Sequence, residues 1–108
     1  VAGLALYTAP LARAADETTT KTGEVIDVAC YVDHGATGAK HEDCAKKCIS
    51  SGMPVGLKTA DGTYLLIGMH KPMNKELAPL AAQMITVKGK LVEKDGIKMI
   101  ENAEIVKP

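Results

Sequence analysis

All three cysteines of this 108-residue chain and two of its three histidines fall in one short segment, CYVDHGATGAKHEDCAKKC, residues 30 to 48. Thiolates and imidazoles are the donors that soft transition metals take, and thiols also form and exchange disulfides. Spacing bears on the choice. His41, Cys44 and Cys48 stand at i, i+3 and i+7, so on a helix they share a face and aim one imidazole and two sulfurs at a single point. Cys30 adds a fourth donor if it closes a strand that faces the core. A Cys3His set suits Zn²⁺ in a tetrahedron, with Zn–S about 2.3 Å and Zn–N about 2.0 Å, and thiolate softness suits Cu(I) or an iron centre equally. Residue types thus select the class of ion and leave its identity open.

Two readings compete with metal. A disulfide between Cys30 and either Cys44 or Cys48 makes a thiol-disulfide redox protein if it cycles. If it is inert, it makes a structural or binding barrel with a staple. A Cys44–Cys48 disulfide is the poorest option, because residues four apart on a helix hold their side chains nearly parallel, with Cα atoms about 6 Å apart. His41 on the cysteine face favours metal, since a disulfide has no use for an imidazole; the same residue is also at home as a plain helix-start residue. His34, ahead of the Gly-rich GATG loop, is a secondary ligand candidate that could replace His41 or add to it. A further soft-donor set lies in GMHKPM, where Met69, His70 and Met73 would have to converge to hold an ion, whereas Met alone is ordinary core filler.

Catalysis finds little support. Ser50 and Ser51 lack a G-x-S-x-G setting, no third group orients a Cys44–His41 pair, and Cys-x-x-x-Cys is one residue longer than the thioredoxin-type motif. Nucleic acid is a poor partner for a chain with a formal charge of zero, three Tyr, and neither Phe nor Trp. The partners expected are a metal ion and a redox or metal-transfer protein.

Other elements must position the segment. Val1 to Leu11 is an apolar run followed by Ala12-Arg13-Ala14, a small-x-small cleavage pattern, so residues 1–14 read as the remnant of a secretory signal. Its initiating Met and basic region would precede Val1. A membrane span needs roughly 18 apolar residues, so the mature protein is expected to have none and to be periplasmic or secreted. Residues 15–22, without an apolar side chain from Asp16 onward, read as a flexible lead-in to a domain over residues 23–108.

Within that domain, GEVIDVACYV alternates as a strand with Ile26, Val28, Cys30 and Val32 on one side. His41 to Ser51 has acidic residues at its start, lysines near its end and Gly52 and Pro54 beyond, as a helix does. Two later segments, PVGLKTADGTYLLIG and MITVKGKLVEKDGIKMIENAEIV, place Asp-Gly between apolar runs and predict hairpins. Between them NKELAPLAAQ predicts a short helix with Asn74 as N-cap and Leu77, Leu80, Ala81 and Met84 on one side; Pro79 sits late in it, where a helix would sooner begin. Five strands with a helix between the third and fourth is the element order of an OB-like β-barrel, here with the cysteine helix inserted between strands 1 and 2.

On these features the chain resembles small exported bacterial OB-fold proteins, most clearly in VKGKLVEKDGIKMIENAEIV, and the likeness spans most of residues 22 to 106. The segment CYVDHGATGAKHEDCAKKCISSGMPVGL is similar to one in uncharacterised exported bacterial proteins that carry a Cys/His-rich inserted helix. The first resemblance implies export and the barrel. Because periplasmic OB-fold copper carriers bind Cu(I) through Met and His, it also implies that Met69, His70 and Met73 merit inspection.

Overall fold

A computed structural model of the chain describes residues 18–107, and its first strand begins earlier than composition suggests. β1 (Thr18–Asp27) takes in most of the expected lead-in: Thr18 to Glu24 pair antiparallel with Lys90 to Met84. Thr18 to Thr22 alternate between exposed and half-buried, so none needs an apolar side chain, and β-branched Thr suits an extended chain. The Thr22 and Thr86 hydroxyls meet at 2.8 Å across the pair, and Lys21 Nζ donates to Asp61 Oδ2 at 2.8 Å. The barrel therefore includes Thr18 rather than starting at residue 23; the signal remnant expected over residues 1–14 lies outside the described residues.

Both hairpins form. β2 (Val55–Thr59) and β3 (Gly62–Leu66) pair antiparallel, as do β4 (Met84–Lys94) and β5 (Ile97–Lys107). Asp95 and Gly96 both take positive φ, 54° and 86°, the sense of turn that follows the twist of a two-residue hairpin. A parallel contact of β3 with β5, through Leu65↔Met99 and Leu66↔Ile100, closes the strands in the order β1-β2-β3-β5-β4. β1 completes the ring by pairing with β2 as well as β4, and Glu24 is aligned with both Lys58 and Met84. The chain can turn this corner because residue 23 is glycine: a Cβ there would collide with the Lys58 carbonyl. The result is an OB-like barrel.

Aliphatic side chains fill it. Val25, Leu57, Leu66, Ile85, Val87 and Ile100 are at most 1% exposed. Helices cover the core with Ile49 from α2 (Glu42–Ser50) and Leu77 from α3 (Asn74–Leu77), both 0% exposed. Asn74 is the first residue of α3 rather than its cap. Its amide instead donates to the Ile49 and Met53 carbonyls at 2.8 and 2.6 Å, tying the end of α2 to α3. Pro79 is accommodated because α3 tightens into a 3₁₀ turn, Ala78–Leu80. Leu77 and Ala81 are buried and Leu80 packs on the core as expected, but Met84 is 62% exposed because it already belongs to β4. No helix among the described residues is long and apolar enough to cross a membrane.

Candidate metal centre

The insertion between β1 and β2 holds two helices rather than one. β1 stops at Asp27, and Val28–His34 forms α1. Asp27 causes the switch: its Oδ1 accepts from the backbone N–H of Ala29 at 3.0 Å and of Cys30 at 3.5 Å, capping donors that have no partner within the helix. Gly35, at φ 71°, closes the other end with its N–H directed to the Cys30 and Tyr31 carbonyls. Cys30 is therefore a helical, half-buried residue, not the last residue of a core-facing strand, and Val32 is 75% exposed. The alternation of Val28, Cys30 and Val32 misleads because a capped helix overrides the β preference of two valines.

α1 is seated closely on the barrel. Its first N–H donates to the Pro54 carbonyl at 3.0 Å, and Val28 lies over Gly56, where a Cβ would come within 2.8 Å of Val28 Cγ2. The loop that follows is held by Glu24, whose Oε2 accepts from the Gly38 N–H at 2.6 Å. A 3₁₀ turn, Ala39–His41, then leads into α2, where Ala45 and Ile49 face the core and Cys44 and Cys48 lie along the flank.

This path brings all three thiols together. The Cys30, Cys44 and Cys48 sulfurs lie within 4.8 Å of one another, with Cys44 exposed and the other two half-buried. No imidazole nitrogen shares that grouping. His41 is exposed and precedes α2 with a non-helical backbone, φ −109° and ψ 9°, so the i, i+3, i+7 alignment breaks at its first member. It does line, with His34, Asp27, Cys30 and Cys44, a cavity of about 290 Å³ beside the thiols. His34 Nε2 is 3.1 Å from the neighbouring Asp33 carboxylate, and both side chains are mostly in solvent. The Met69, His70 and Met73 set does not converge: Met69 is 72% exposed, whereas Met73 is 7% exposed and packed in the core.

The residue missed by sequence reasoning is Asp27. It is the buried polar side chain of the described core, 3% exposed, and its Oδ2 has no donor at hydrogen-bonding geometry. The nearby Asp27 carboxylate favours the protonated thiol and, together with burial, pushes Cys30 up to about 12 and raises Cys48 as well. The available signal was an Asp ahead of a segment closed by Gly, the frame of a capped helix, which the β-branched pattern concealed. No protein family, curated protein or solved structure matches the chain, so function rests on this geometry.

Proposed function

We propose that the protein binds one soft transition-metal ion through Cys30, Cys44 and Cys48 and serves metal handling, sensing or electron transfer rather than turnover of an organic substrate. The observation that carries this reading is the convergence of three sulfurs from two helices to within 4.8 Å. Three sulfurs around a tetrahedral ion with Zn–S bonds of 2.3 Å stand about 3.8 Å apart. Closing that gap takes side-chain adjustment of about 1 Å at most, with no rearrangement of the barrel.

The thiol-disulfide alternative draws on the same proximity, but the surroundings of Cys30 and Cys48 oppose it as attacking groups. Attack on a disulfide needs a thiolate, and exchange proteins lower the pKa of the attacking cysteine. Here the environment of Cys30 and Cys48 acts the other way. A bound cation removes that conflict by neutralising the negative charge around the sulfurs.

Metal analysis of the purified protein together with thiol counting tests the reading. One ion per chain with three alkylatable thiols after its removal is the expected result; two oxidised thiols and no ion would overturn it. We extend the proposal to export to the periplasm or outside the cell, which the apolar run ending in Ala12-Arg13-Ala14 supports. Mature protein beginning at Ala15 is then expected on N-terminal sequencing, and an unprocessed cytoplasmic chain would contradict export.

A further inference from the structure

N-capping uses one oxygen of Asp27, Oδ1, and leaves Oδ2 buried without a donor. Asn or Ser caps a helix about as well without bringing a charge into the interior. A buried carboxylate oxygen with no partner costs several kcal/mol in general, so its presence calls for a compensating group. The side chain lines the same cavity as Cys30 and Cys44; its oxygens stand outside the 4.8 Å grouping of the three sulfurs, so ligation requires the carboxylate and the thiols to draw together across that cavity.

We propose that Asp27 Oδ2 is the fourth donor of the tri-cysteine centre, which makes it a site for a divalent ion of the zinc class rather than for Cu(I). The inference rests on the tri-cysteine reading above and goes further in assigning the oxygen ligand and the ion's charge. Zn²⁺ accepts thiolate sulfur and carboxylate oxygen in one tetrahedron, with Zn–O about 2.0–2.2 Å. Cu(I) is satisfied by soft thiolates and gains little from a hard oxygen. Charge points the same way, because three thiolates and a carboxylate carry more negative charge than a monovalent ion balances. The ion displaces the thiol protons to solvent as it binds.

The test is competition titration of Zn²⁺ and, separately, of Cu(I) against chromophoric chelators, using wild type, Asp27→Asn and Asp27→Ser. Both replacements retain a helix cap, and thermal unfolding of the metal-free variants identifies which of them folds. The expected result is a loss of Zn²⁺ affinity of more than about 100-fold, beyond the 10–100-fold of a group outside the coordination sphere, with Cu(I) affinity changed much less. Unchanged Zn²⁺ affinity, or equal losses for both ions, would overturn the role of Asp27 while leaving the three sulfurs as the site. Failure of reduced wild type to bind either ion would overturn the tri-cysteine reading itself, and the fourth ligand with it.

Discussion

A proton and a metal ion compete for the same sulfur lone pair, and at Cys30 the Asp27 carboxylate weights that competition toward the proton. Below pH 9, the ordinary value for the thiol, Cys30 is protonated in the metal-free fold, so binding must release its proton. Apparent affinity is therefore expected to rise with pH across the neutral range, by about tenfold per pH unit for each proton displaced. Competition titrations at several pH values check this, and a flat profile would contradict thiolate ligation. The same competition makes each sulfur necessary. Cys44→Ser and Cys48→Ser should each lower affinity by more than about 100-fold, beyond the loss typical of a group outside the coordination sphere, whereas His41→Ala should change it little. A loss in His41→Ala as large as in the cysteine variants would restore the imidazole to the ligand set. The candidate site was legible in sequence to the extent that cysteine spacing was legible: Cys44 and Cys48 do share a helix flank. The place of His41 was not, because a 3₁₀ turn ahead of α2 breaks the helical spacing and leaves its nitrogens outside the sulfur grouping, and no local residue announces such a turn.

At the scale of elements, the site depends on how α1 and α2 are fastened to the barrel. Asn74 fastens α2 through its bonds to the Ile49 and Met53 carbonyls. Asn74→Ala should cost about 0.5–1.5 kcal/mol in denaturant unfolding, the net range for intramolecular hydrogen bonds that water can partly replace, and should weaken metal binding through a looser α2. Equal stability of variant and wild type would show that the contact contributes nothing. β1 is fastened differently, through Lys21 and Asp61. The hydrogen bond from Lys21, then that from Thr59, lowers the Asp61 pKa from 3.8 to about 2, and Asp61 in turn raises that of Lys21. A depressed carboxylate contributes stability that is present above its unfolded value and lost as pH falls through its folded one. The difference in stability between wild type and Asp61→Asn should thus hold at neutral pH and shrink between 3.8 and about 2. The raised Lys21 loses its contribution only as pH rises above 10.5. A difference that grows on acidification would refute the assignment. This pair also explains why the first half of β1 was illegible: its stabilising partners lie far along the chain, and DETTTKT read alone is polar and featureless.

Across the whole molecule, the strands close the barrel while the inserted segment carries the three thiols, and α2 joins the two by placing Ala45 and Ile49 in the core. Hairpins marked by Asp-Gly and a short helix before β4 were readable because turn chemistry is local, and they sufficed to define an OB-like ring. The second inserted helix was not readable, since it depends on a single capping aspartate prevailing over valine alternation. The barrel packs its own core from Val25, Leu57, Leu66, Ile85 and Ile100, so the fold should survive metal removal. Binding should still stabilise it, by about 2.7 kcal/mol when free ion is present at 100 times its dissociation constant. Hydrogen exchange should place the loss of protection on chelation mainly in α1 and α2, and uniform loss across all five strands would contradict a barrel that holds without the ion. The most direct test of the centre is X-ray absorption at the edge of the ion carried by the isolated protein. Three sulfur scatterers at about 2.3 Å are predicted. A shell of nitrogen and oxygen alone, or protein that takes up no ion while its three thiols are reduced, would contradict the account.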